Sequence, residues 1–186
     1  MAEYYLISQL PSLDGPRLDG PLPITEEAFL ELCRRHLSSR AFGEIERLTL
    51  TPAPDAEQDG GSALIRAWNA GERELRLALA AARAERMHKP TRQAGREISP
   101  SLLRVVGEAL AAEDPLTAEK LLLTYRLAFL EGLRPMDGFS QDFLFYYGLK
   151  LKLLARFRAF DSARGEAAYK QIYNATLHTD RLEVTE

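Results

Sequence analysis

Residues 140–160 read SQDFLFYYGLKLKLLARFRAF. Ser140 suits a helix N-cap, because its hydroxyl accepts from a first-turn N–H that has no intrahelical partner. Beyond it, Phe143, Tyr146, Tyr147, Leu149, Leu153, Leu154 and Phe157 recur at helical spacing. That face is too broad for a helix with one side in water. The spacing therefore predicts a helix to about Phe160 that lies at the centre of the fold, with other helices around it.

The segments on either side supply those helices. Thr25 can cap a helix whose first turn holds Glu26 and Glu27, favourable beside the positive end of the helix dipole. Phe29, Leu30, Leu32, Cys33 and Leu37 form its apolar stripe. A shorter helix is expected over 39–48. Ser62 can cap a long one over 63–88, in which Leu64, Trp68, Leu75, Leu79 and Ala82 recur at threes and fours, apart from one step of seven across Gly71. Ser99-Pro100 and Asp114-Pro115 each pair a cap with a first-turn proline, the first opening a helix that carries Leu102, Leu103, Val106 and Leu110, the second a helix to about Leu133. A last helix is expected from about Ser162 to Leu177. Tyr4–Ile7 and Leu48–Thr51 are the short β-prone pieces. The expected fold is all-α: one compact domain over residues 1–186, with six or seven helices.

Proline and glycine mark the breaks. Residues 11–23 read PSLDGPRLDGPLP, with Leu-Asp-Gly-Pro at 13–16 and again at 18–21. Asp-Gly-Pro favours turns, so this is a Pro/Gly-rich N-terminal arm. Residues 51–62, 89–98 and 134–139 are further loops. Leu75–Leu79 aligns with Leu149–Leu153, but the likeness extends no further and establishes no repeat.

Composition sets the outer limits. The chain has 186 residues, 46% hydrophobic and 27% charged, which suits one globular domain. Its single cysteine cannot form an internal disulfide and fits a reducing compartment. A net charge of −3 argues against nucleic acid as a partner. The longest apolar runs, Ala78–Ala82 and Phe143–Tyr147, fall far short of the roughly 20 residues a spanning helix needs. The opening MAEYYLISQLPSL has no basic residue before a short apolar stretch, unlike a signal peptide. The expectation is a cytoplasmic protein without membrane insertion.

Chemistry-bearing constellations are sparse. Glu85 and His88 form one Glu-x-x-His turn, where a di-iron bundle needs two such turns and two more glutamates. The competing reading is that His88 ends a helix just before Lys89-Pro90. Cys33 and His36 have half the spacing of a zinc site, but Cys33 falls on an apolar stripe, which favours a buried thiol. A nucleophile elbow and a phosphate-binding lysine loop are both missing, and Gly60-Gly61 reads as a plain interhelical loop. Arg73, Arg76, Arg83 and Arg86 alternate with Glu72, Glu74 and Glu85, as on a solvated or interhelical salt-bridged face, with Glu72 and Arg76 spaced i,i+4. The aromatics Phe139, Phe143, Phe145, Tyr146, Tyr147 and Phe157 read as core, or as the lining of a pocket. From these residues no catalytic centre, metal site or cofactor is expected.

Four segments, in order, resemble an uncharacterised bacterial family encoded in the operons of V-type (A-type) rotary ATPases. They are Tyr4–Leu13, with its tyrosine pair running into Leu10-Pro11; Trp68–Arg86; Asp114–Leu122; and Leu149–Gly165. The resemblance implies a subunit and not an enzyme, and a stand-in for part of the all-helical C (d) subunit between the membrane rotor ring and the central stalk. It implies the other ATPase subunits as partners, and attachment at the inner membrane through that complex. Arg92, Arg96, Arg134, Met136 and Phe139 fall in loops and are the candidate contact residues. Two other readings stay open: a helical adaptor or chaperone with an apolar groove floored by the aromatic helix, and a metalloprotein using Glu85 and His88.

Overall fold

The structure of the protein, a computed structural model, describes residues 2–14, 21–54, 61–90, 98–159, 165–166 and 168–173. Among these it is all-helical, with no strand. Its elements are α1 (Ala2–Gln9), α2 (Glu26–His36), α3 (Ser39–Glu46), α4 (Ala63–Arg86), α5 (Pro100–Ala111), α6 (Pro115–Gly132) and α7 (Gln141–Ala159). Residues 165–166 and 168–173 are also helical; the remainder of the predicted last helix lies outside the described residues.

The predicted caps close the helix starts. Thr25 Oγ1 accepts from Ala28 N, and Ser62 Oγ from Leu64 N and Ile65 N. Ser99 Oγ accepts from Leu102 N, Asp114 Oδ1 from Thr117 N at 2.8 Å, and Ser140 Oγ from Phe143 N. Ser38 caps α3 in the same way, accepting from Ala41 N. Each such cap stabilises its helix by about 1 kcal/mol.

Two β-prone expectations are corrected. Residues 4–7 belong to α1. Tyr4 and Tyr5 are exposed and Leu6 and Ile7 buried, a two-out, two-in order that follows a 3.6-residue period and not strand alternation. Leu6 and Ile7 join the main core, and α1 packs against α2. Residues 48–51 are irregular, turned by the Thr49 side chain, which accepts from Thr51 N at 3.0 Å.

Helix α7 is the axis. It packs against α2, α3, α4 and α6, and every residue from Leu144 to Leu151 is buried. Gly148 permits this closeness, since a Cβ there would lie 3.0 Å from Leu48 Cδ1 and 3.2 Å from Phe29 Cε1. Around the axis, Phe29 and Cys33 of α2, Ile45 of α3, Trp68 of α4 and Leu123, Leu127 and Leu130 of α6 complete the main core. A second core lies beside it, where Leu75, Ala78 and Leu79 of α4 meet Leu102, Val106 and Ala109 of α5 and Leu122 of α6.

The break in the α4 stripe marks where the two cores meet. Gly71 leaves room for the Phe129 ring, which a Cβ would approach to 2.4 Å. The next residue, Glu72, is 2% exposed and its Oε1 accepts from Arg126 Nε of α6 at 2.6 Å. Two apolar positions are thus replaced by an incoming ring and an interhelical ion pair.

The described stretches 11–14 and 21–24 touch the body of the fold. Leu13, Leu22 and Ile24 pack on the main core, and Tyr147 Oη donates to the Pro11 carbonyl at 2.8 Å. Residues 15–20, with most of the second Leu-Asp-Gly-Pro, lie outside the described residues, as do 55–60 of the second loop and 91–97 of the third.

Candidate interaction surface

The α6–α7 loop carries three of the five candidate contact residues. Asp137 shapes its turn: Oδ1 accepts from Phe139 N at 2.9 Å and its carbonyl accepts from Ser140 Oγ at 2.8 Å. The turn holds Phe139 against α1, where it stacks on Tyr4 with ring centroids 4.3 Å apart. Both rings remain open to solvent, Tyr4 at 59% and Phe139 at 47% exposure. Met136, in the same loop, is fully exposed. The next residue of α1, exposed Tyr5, meets His36 of α2 edge-on at 5.2 Å. Aromatic rings, methionine and arginine are the side chains that protein interfaces favour.

A charge network adjoins the α6–α7 loop. Lys150 of α7 is buried, and its Nζ bonds to Asp14, to Glu131 at 2.6 Å and to Tyr146 Oη at 3.2 Å. Tyr146 Oη in turn donates to Glu131 at 2.8 Å. Arg134 pairs with Asp14 at 3.3 Å and sits 5.7 Å from the centre of the Tyr146 ring. The Lys150 hydrogen bond, opposed by partial burial and helped by the Arg134 charge, holds the Asp14 carboxyl below its ordinary value. Burial would lower Lys150, but its bonds to Asp14, Glu131 and Tyr146 together outweigh that and raise it. Burial, then the Glu131 bond, pushes the Tyr146 hydroxyl up. The network ties Asp14 to α6, to α7 and to Arg134 of the α6–α7 loop.

The other predicted residues are dispersed. Arg92 and Arg96 lie outside the described residues. Glu85 and His88 do not share a helical face, because α4 ends at Arg86. His88 has a left-handed backbone (φ 52°), its N–H donates to Glu85 O at 3.0 Å, and Lys89 N donates to Ala84 O at 2.9 Å. This is a Schellman cap built on backbone groups. Cys33 is buried in the main core, and burial pushes its thiol up to about 12. Among the described residues, no three His, Cys, Asp or Glu side chains are grouped to hold a metal. No helix there is long and apolar enough to cross a membrane.

Of Arg73, Arg76, Arg83 and Arg86 on α4, three brace a loop or a neighbouring helix, while Arg83 is exposed to solvent. Arg73 donates to Ala53 O at 3.0 Å, Arg76 to Leu50 O at 3.3 Å, and Arg86 to Leu110 O at 2.5 Å. Phe145, Tyr146 and Tyr147 are buried; Phe143, Tyr146 and Tyr147 also line a pocket of about 190 Å³ beside residues 10–14.

Sequence reasoning missed Tyr4, Asp14 and Lys150. The signal for Lys150 was available: a lysine between Leu149 and Leu151 in the most apolar helix needs a carboxylate partner. Nothing in the sequence pointed to Asp14 as that partner, 136 residues away. Comparisons with protein-family models, curated proteins and solved structures find no match to this chain.

Proposed function

We propose that the chain is a non-catalytic accessory or structural subunit of a bacterial V-type (A-type) ATPase, helping to couple the central stalk to the membrane rotor in ion transport. The ordered resemblance at Tyr4–Leu13, Trp68–Arg86, Asp114–Leu122 and Leu149–Gly165 supplies the partner. The observation that supports an interaction role is the exposed Tyr4–Phe139 stack beside Met136, whose loop Arg134 ties to Asp14 and the Lys150 network. A part that passes torque needs a stiff body and a contact face, and it needs no cofactor. Preformed rings lose little conformational freedom on docking, and desolvated aromatic anchors carry a large share of interface energy. In this reading the protein is cytoplasmic and reaches the inner membrane only through the ATPase.

Purification of the tagged protein from its own cells, followed by mass spectrometry, tests this reading. Catalytic and stalk subunits of the ATPase should co-purify with it. The double variant Met136→Asp, Phe139→Asp should fold with an unchanged helical circular dichroism spectrum and lose those subunits. Purification without them, from cells shown to express the ATPase, would overturn the proposal.

A further inference from the structure

Two of the α4 arginines open onto a cleft. Arg76 and Arg83 of α4, Arg126 of α6 and Arg156 of α7 line one cleft of about 230 Å³, roofed by residues 50 and 51. Among the described residues, four guanidiniums converge here against two carboxylates, Glu119 in the lining and Glu72 next to Arg126 and Arg76. Each carboxylate is engaged through one oxygen, while Glu72 Oε2 has no hydrogen-bond partner among the described residues. Glu72 accepts from Arg126 and lies 3.9 Å from Arg76, and Glu119 accepts from Arg156 at 2.8 Å. A positive excess therefore remains in the cleft after these pairs have formed.

Two sets of donors carry that excess. Arg126 has a side chain only 13% exposed, and its Nε is fixed by Glu72, while its Nη atoms have no acceptor among the described residues. Arg83 stands seven residues after Arg76, two helical turns along the same face. Its guanidinium makes no hydrogen bond or ion pair among the described residues, and its backbone carbonyl is engaged by Met87 N. Arg76 is oriented by the Leu50 carbonyl. Planar guanidinium forks aimed into a polar cleft match a tetrahedral oxyanion, which offers several acceptor oxygens and up to two negative charges. We infer that this cleft binds a phosphoryl group, as inorganic phosphate or as a phosphate monoester. The site is independent of the aromatic face and of the ATPase reading.

Thermal unfolding of the full chain in sodium phosphate and in sodium chloride at equal ionic strength is the test. Phosphate should raise the midpoint in a saturable way, as mass action requires of a ligand that binds the folded state. Arg83→Ala should leave the midpoint in chloride unchanged, because Arg83 holds nothing in place. It should weaken phosphate binding by about tenfold, the loss of one charged contact. Arg104→Ala, a change to an exposed arginine on α5 outside the cleft, should leave phosphate binding intact. Phenyl phosphate separates the sources: binding tighter than phosphate identifies a monoester, and weaker binding identifies the free ion. Equal midpoints in phosphate and chloride, or a phosphate shift that survives Arg83→Ala, would overturn the assignment.

Discussion

Cys33 shows how burial alone decides a residue's chemistry. The thiol is enclosed by the main core and desolvation pushes its ionisation up to about 12, so at neutral pH almost none is thiolate. A disulfide reagent should therefore find no reactive thiol in the native protein at pH 7.5, and one per chain in denaturant. Rapid labelling without denaturant would mean that the α2 face opens readily. Asp14 illustrates the opposite case, a half-exposed group controlled by its partners. Its folded-state ionisation lies below the ordinary 3.8, so it contributes stability above that value and loses it as the pH falls through the lowered one. Lys150 is raised above its ordinary 10.5, so its contribution is complete below that value and is lost as the pH climbs through the higher one. The pair thus supports the fold across the whole neutral range. Solvent screening at Asp14 limits the effect to about 1 kcal/mol or less. Asp14→Asn should lower stability at pH 7 by that amount, and the loss should shrink as the pH falls below the ordinary carboxylate value, as read by urea unfolding across the acid range. An equal loss at every pH would assign the effect to packing and not to charge.

Among the helices, the clearest lesson is where α4 ends. A left-handed backbone costs a non-glycine residue about 1–2 kcal/mol, and His88 bears it to close the cap. Glycine would remove the cost, although it adds about 0.4–1 kcal/mol of unfolded-state freedom. His88→Gly should therefore raise stability by about 0.5–1 kcal/mol, visible as a higher urea midpoint with an unchanged slope. A lower midpoint would show that the imidazole makes a contact worth more than the strain. The helix starts were legible from Thr25, Ser62, Ser99, Asp114 and Ser140, because capping is a local bond between near neighbours. The end of α4 reads in the sequence at His88, just before Lys89-Pro90, and the last helical residue, Arg86, falls two positions short of that. Glu85, Arg86 and Met87 are all good helix formers, and the sequence from Ala63 onward carries no glycine where the cap falls. Residues 2–9 misled for a related reason, since four apolar or aromatic residues are too few to tell a period of two from one of 3.6.

Taken as a whole, the molecule is two cores sharing two helices, and that arrangement was not legible. The step of seven across Gly71 was visible, but the Phe129 ring and the Arg126 guanidinium that fill it come from α6. Likewise the aromatic face needs Tyr4 and Phe139, 135 positions apart, to meet. Contacts of this kind depend on how helices cross, which spacing within one helix does not determine. The division should appear in the energetics of opening. Helix α7 touches α2, α3, α4 and α6, so exposing its amides requires dismantling the main core. Helix α5 packs chiefly on α4 and α6 through Leu102, Val106 and Ala109, with Leu103 left in water. Its release would free only the smaller core and leave the charge network and the aromatic face in place. Local openings span the range from near zero to the global unfolding free energy. Native-state hydrogen exchange should accordingly show α5 amides opening roughly 2 kcal/mol or more below those of Leu144–Leu154, with α5 exchange little changed by low urea and α7 exchange following global unfolding. If α5 and α7 exchange together at every urea concentration, Glu72 and Arg126 bind the two cores into one cooperative unit, and the buried ion pair is a weld and not a seam.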